Sequence, residues 1–72
     1  MRIRMTKITL KALRVNKGLT IAQASKMIGV SAPTLSSWEN GKTYPDVNQL
    51  PIIEEVYGAK YDSIKFLRNI TV

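Results

Sequence analysis

The side chains of this 72-residue chain that could act on another molecule are carboxylates, cations and a run of small polar residues. Asp46, Glu54, Glu55 and Asp62 are groups of the kind that do general acid and base work, but no histidine or cysteine accompanies them and no pair has activating spacing. Glu54 and Glu55 are adjacent, so on a helix they point to different azimuths, as residues of a solvated face do. Without thiolate or imidazole the usual metal ligands are missing as well. This pattern predicts a protein that is not an enzyme, with no catalytic residues, no metal, no cofactor and no small-molecule substrate. The cations are more informative. Of eleven Lys and Arg residues, eight (Arg2, Arg4, Lys7, Lys11, Arg14, Lys17, Lys26 and Lys42) lie in residues 1–43 against Glu39 alone, whereas residues 44–72 hold three against four carboxylates. The net charge of +6 therefore belongs to the first half, which is the expected footprint of a surface that meets phosphates.

The elements that must position these residues are legible as capped helices. Thr20 and Gln23 have the spacing of a capping box, in which the hydroxyl accepts one free amide and the glutamine side chain returns to another. A helix starting at Thr20 carries Ile21, Ala24, Ser25 and Ile28 on one face and ends at Gly29, which can adopt the left-handed conformation that stops a helix. Ser31 is a good cap for the next helix, in which Leu35 and Trp38 stand three apart and point inward. Ala32, Pro33, Ser36, Ser37 and Asn40 are thereby turned to the opposite side. Two such helices over residues 20–41, joined by a glycine turn, read as a helix-turn-helix. Pro33 sits at the second helical position, where its missing amide costs little and its ring stiffens the start. Trp38 reads as a core anchor rather than a platform for stacking bases.

An earlier helix is expected from a cap at Thr9 or Thr6 to about Lys17, with Leu10 and Leu13 inward. Pro45 forbids continuation of the third helix, and a fourth is expected from a cap at Asn48, preferred to Asp46, with Leu50, Ile53, Val56 and Tyr57 inward. Asp62 or Ser63 opens a short fifth helix carrying Ile64 and Leu67, so that helices four and five occupy about residues 48–68. Gly18, Gly29, Gly41 and Gly58 each follow an apolar-periodic stretch, as helix terminators do. Residues 1–7 read as a basic arm, with a brief strand over Arg2-Ile3-Arg4-Met5 as the alternative, and Ile70 and Val72 either belong to a dimer contact or fray. The absence of cysteine, of a signal peptide and of any apolar run long enough to span a bilayer predicts a single domain over residues 1–72 in a cytoplasm, with no membrane association.

Across Ile8 to Leu67 the sequence resembles the Cro/C1-type helix-turn-helix family, also called the xenobiotic-response-element family. The resemblance rests on Leu13-Arg14, Gly18-Leu19-Thr20, Gly29-Val30-Ser31, the run Trp38-Glu39-Asn40-Gly41-Lys42, Pro45, and Tyr57-Gly58 followed by Ile64 and Leu67. It implies an all-α, compact five-helix lambda-repressor-like domain whose helices 2–3 are the DNA-reading unit, and a homodimer on operator DNA. It also implies that Arg14 and Glu39 form an ion pair bracing helix one against helix three. With Ile8-Thr9-Leu10-Lys11 ahead and Lys65-Phe66-Leu67 behind, the compact form looks like small Cro-like or modulator-of-repression regulators of temperate phages of Gram-positive bacteria. Those regulators end soon after a Phe66-Leu67-like pair, which implies a complete protein acting in the cytoplasm of a bacterial host.

On this reading the base-facing, or partner-facing, residues are Ala32, Pro33, Ser36 and Ser37. They form a weak alphabet: serine bonds either kind of base edge, and the methyls of Ala32 and Thr34 can touch thymine, but none discriminates strongly alone. Phosphate contacts are expected from Thr20, Ile21, Ser31 and Thr34 at the amide-rich helix starts, and from Asn40, Lys42, Thr43 and Tyr44. Two functions follow as expectations. One is a transcription regulator of a phage lytic/lysogenic switch that binds double-stranded operator DNA through helix three. The other is an anti-repressor or antitoxin-like module whose small, uncharged face binds a cognate phage repressor, alone or jointly with DNA.

Overall fold

A computed structural model describes residues 8–66. Its elements in chain order are a short strand β1 (Ile8–Thr9), helices α1 (Leu10–Asn16), α2 (Ile21–Ile28), α3 (Ala32–Glu39) and α4 (Leu50–Tyr57), a 3-10 turn (Tyr61–Ser63) and a strand β2 (Ile64–Lys65). Thr9 caps α1 by accepting the Ala12 amide at 3.1 Å, so of the two cap candidates the nearer one acts. Its backbone is extended, which lets the same residue close β1 and open the helix. Val15 is exposed, and only Leu10 and Leu13 carry α1 into the core.

The capping box of α2 is present in both directions: Thr20 Oγ1 accepts the Gln23 amide at 3.1 Å and Gln23 Oε1 accepts the Thr20 amide at 2.9 Å. Gly29 ends α2 in the left-handed region at φ 93°, and its amide closes on the Ser25 carbonyl. Ser25 itself is buried where α2 approaches its neighbours, and its hydroxyl donates to the Ala22 carbonyl at 3.1 Å, so burial leaves it satisfied. The core is built from Leu10 and Leu13, Ala24 and Ile28, Leu35 and Trp38, Ile53 and Tyr57, and Ile64. Leu19, Ile21, Val30 and Val56 are packed against it half-buried. Every described helix and strand thus contributes apolar surface, as a chain this short requires.

Two expectations are corrected. There is no fifth helix among the described residues: the segment expected to open one folds as the 3-10 turn, closed by the Ser63 amide on the Lys60 carbonyl at 2.9 Å, and then runs extended. Ile64 buried, Lys65 exposed and Phe66 half-buried follow a period of two, and Ile64 pairs in parallel register with Ile8, as Lys65 does with Thr9. A partner strand from the other end of the chain outweighs the helical spacing of Ile64 and Leu67, and Leu67 lies outside the described residues. The start of α4 also moves. Its cap position is Gln49, not Asn48, because Asp46 and Gln49 first close a turn: Asp46 Oδ1 accepts the Asn48 amide at 3.0 Å, and Gln49 Oε1 accepts the Asp46 amide at 2.9 Å. Pro51 still falls in the first turn, where the missing amide is harmless. The basic arm 1–7 with its alternative cap Thr6, and the apolar tail residues Ile70 and Val72, lie outside the described residues.

Candidate nucleic-acid interface

The placement of α3 decides what this molecule can present. Leu35 is 0% and Trp38 3% exposed, which fixes the rotation of the helix and removes Trp38 from any role in stacking on bases. Pro33 and Asn40 are exposed on the other side, and Ala32, Ser36 and Ser37 are half-buried between. The four residues expected to face bases therefore share one outward flank, and none of them enters the core.

The start of α3 is held by a double contact. Ser31 Oγ accepts the Thr34 amide at 3.3 Å and shares a hydrogen bond of 2.8 Å with the Thr34 hydroxyl. Ser31 and Thr34 are thus engaged with each other, with the serine exposed and the threonine half-buried. The Thr20 amide is likewise committed to Gln23, so of the donors expected for phosphate at the start of α2 its exposed hydroxyl and the Ile21 amide remain. The Ile21 side chain packs on the core. At the far end of α3 the chain turns back on itself: the Lys42 and Thr43 amides donate to the Ser37 carbonyl at 2.9 and 3.4 Å. That closure seats the loop beside the helix and leaves the side chains of Lys42 and Thr43 exposed.

A shallow groove runs between helix and loop, lined by Pro33, Thr34, Ser37, Trp38, Thr43 and Gln49. It brings together two base-facing candidates and two phosphate-facing ones. Tyr44 instead lines a second cleft with Pro45, Leu50, Tyr61, Ile64 and Phe66. Gln49 was not foreseen as part of the reading side, because it lies beyond the helix-turn-helix in sequence. The signal was available in its type, since glutamine reaches base edges and phosphates. Its oxygen is held by the Asp46 amide, which leaves its amide hydrogens to donate.

Behind this surface an ion pair ties α3 to α1. Arg14 Nε meets Glu39 Oε2 at 2.8 Å and Arg14 Nη2 meets Glu39 Oε1 at 3.2 Å, while Arg14 Nη1 donates to the Leu19 carbonyl at 2.9 Å. The two side chains are only 11% and 5% exposed. The hydrogen bonds to Glu39 raise the Arg14 pKa above its ordinary value, against the opposing effect of burial. Tyr57 lies close enough to feel both charges. Burial, reinforced by the negative charge of Glu39 and opposed by Arg14, pushes its phenol up to about 12, and its buried hydroxyl has no hydrogen-bond partner among the described residues. The pair is a brace that sets how α3 is carried, not a reacting group.

Among the described residues no group of carboxylates could hold a metal ion, and no helix is long and apolar enough to cross a membrane. Comparison with known proteins gives two findings. The helix-turn-helix family profile matches residues 10–64. The chain is also 34% identical over 55 residues to the HTH-type transcriptional activator BcrR of Enterococcus faecalis, a match that covers 76% of this chain and spans 27% of that relative's length.

Proposed function

The chain belongs to the Cro/C1-type helix-turn-helix family, and from that membership we propose a transcription regulator that binds double-stranded operator DNA. In this reading α3 enters the major groove, α2 lies across the backbone, and the protein works by binding and not by catalysis. The observation that carries it is the outward flank of α3, held by the burial of Leu35 and Trp38 and bordered by the exposed Lys42 and Thr43. Base edges meet Ala32, Pro33, Ser36 and Ser37. Phosphates meet Thr20, Ile21, Ser31, Thr34, Asn40, Lys42, Thr43 and the exposed Tyr44, with Gln49 added to them. With no arginine on α3, specificity leans on DNA shape and half-site spacing as much as on direct contacts.

The finer proposal is a homodimeric regulator of a phage lytic/lysogenic switch, acting in the host cytoplasm. The resemblance of the runs Ile8-Thr9-Leu10-Lys11 and Lys65-Phe66-Leu67 to those of small phage regulators supports it. A second reading is favoured by one observation, that α3 carries neither Lys nor Arg: its uncharged flank would suit a cognate phage repressor, which this chain would disarm.

One titration separates the two. Binding to an operator selected from random duplex is followed by fluorescence anisotropy between about 50 and 200 mM salt, for the wild type and Lys42→Ala. A DNA reader loses affinity steeply with salt. Lys42→Ala weakens all sequences together and lowers the salt slope by about one ion, the share of a single phosphate contact. A chain that shows no salt-sensitive binding, yet forms a stable heteromer with a phage repressor in native mass spectrometry, fits the second reading and refutes the first.

A further inference from the structure

The chain has three tyrosines, one tryptophan and one phenylalanine, and they divide cleanly. Trp38 and Tyr57 are buried in the core, whereas Tyr44, Tyr61 and Phe66 all line the second cleft, an open space of about 740 Å³ that they share with Leu50 and Ile64. Tyr44 and Tyr61 are each half exposed, and the Tyr61 ring lies tilted against Phe66 with centroids 5.9 Å apart. Rings left open together in this way mark an interaction face. Asp62 and Lys65 complete the lining. Both are exposed, and neither has an ion-pair partner among the described residues. Their separation is set by held backbone: the Tyr61 amide donates to Glu54 Oε2 at 2.6 Å, the Ser63 amide closes the 3-10 turn on Lys60, and Lys65 stands in register with Thr9.

No polar side chain of the cleft is buried where it could orient a small molecule. An aromatic centre with a charged rim is instead the anatomy of a protein interface. The rim carries one acid and one base, which makes it complementary to itself: under a two-fold axis the acid of each copy faces the base of the other. We infer that the occupant is a second copy of this chain, packed cleft to cleft about a two-fold axis, with Asp62 of each copy against Lys65 of the other. The inference rests on the homodimeric reading given above and names its surface. Tyr44 directly follows Lys42 and Thr43, so a copy seated here adjoins the loop beside α3, as two readers of one operator must.

Sedimentation equilibrium of the full chain and its charge variants is the test, with Trp38 fluorescence confirming that each is folded. The wild type dimerises. Asp62→Lys sets cation against cation at both contacts and Lys65→Asp sets anion against anion, so each variant alone dimerises about tenfold to a hundredfold more weakly. Lowering the net charge would by itself favour association of Lys65→Asp, so its weakening reports the contact and not the overall charge. Mixing the two single variants recovers a dimer, now a heterodimer, because every contact again joins unlike charges. Asp62→Lys with Lys65→Asp in one chain recovers the homodimer for the same reason. A wild-type dimer that both single variants form equally well overturns the inference and leaves the homodimer standing, as do weakened single variants that neither the mixture nor the double exchange rescues. A wild type that is monomeric up to about 1 mM refutes the homodimeric reading and the inference together, the cleft then being left to residues 67–72 of the same chain or to another protein.

Discussion

Replacing Arg14 by methionine leaves the Glu39 carboxylate buried among apolar neighbours, with its bidentate partner gone and the Leu19 carbonyl stripped of its donor. Breaking one side of such a pair costs about 3–5 kcal/mol. A domain of this size has on the order of 3–5 kcal/mol in total, so Arg14→Met is expected to be largely unfolded at 25 °C. Arg14→Lys keeps the charge but not the planar fork, and is expected to lose about 1–3 kcal/mol. The instructive variant is Arg14→Met with Glu39→Leu. Apolar replacement of both members removes the desolvated charge, and the remaining cost is the Leu19 carbonyl, about 1 kcal/mol. Urea unfolding followed by the fluorescence of Trp38, the single tryptophan and a buried one, measures wild type, Arg14→Lys, the single variants Arg14→Met and Glu39→Leu, and the double variant. Added sucrose keeps the weakest folded enough to fit. The coupling energy of the cycle should exceed about 2 kcal/mol. A loss below about 1 kcal/mol for Arg14→Met, or a double variant equal to the sum of its singles, would refute the argument that this pair braces α3.

Two further outcomes follow from the same core and its turns. The Tyr57 phenol, raised to about 12 from 10.0, contributes stability that is complete below pH 10 and is lost as pH rises through about 12, because the unfolded chain releases its proton first. The fall is on the order of 2 kcal/mol and should be absent from Tyr57→Phe, which at pH 7 is as stable as wild type or slightly more so, its unpartnered hydroxyl being gone. Gly29→Ala places a side chain at φ 93° with nothing to strike, so its penalty is conformational alone: about 1–2 kcal/mol, or roughly 4–16 °C in Tm by calorimetry.

What could be read from the residues was what they decide locally. Thr20 with Gln23, Thr9 with the Ala12 amide, and Ser31 with Thr34 each find a partner three positions away, so caps and helix starts were visible without knowledge of the fold. The rotation of α3 was equally visible, since Leu35 and Trp38 leave only one way to face inward. Long-range pairing was not. Ile64 satisfies a helical spacing with Leu67 and an extended spacing with Phe66, and only the presence of Ile8 beside it decides. The Arg14–Glu39 contact came through family resemblance, because nothing near either residue demands it. Gln49 was overlooked, and Asn48 preferred as a cap, for a common reason: the Asp46 turn consumes the Asn48 amide and the Gln49 oxygen together, a competition that cap preferences do not contain.

The pairing of Ile8 with Ile64 closes nearly the whole described chain into a ring with a very small clasp. The entropy of closing so long a loop must be met by a few residues, so the clasp forms only once the helices have brought its halves together, and it is the first part to open. Opening it withdraws Ile64 from the core it shares with the helices, while the capping bonds at the helix starts, which are local, stay in place. A load on either end of the chain therefore reaches the same latch, and a fusion joined at one terminus strains it as a fusion joined at the other does.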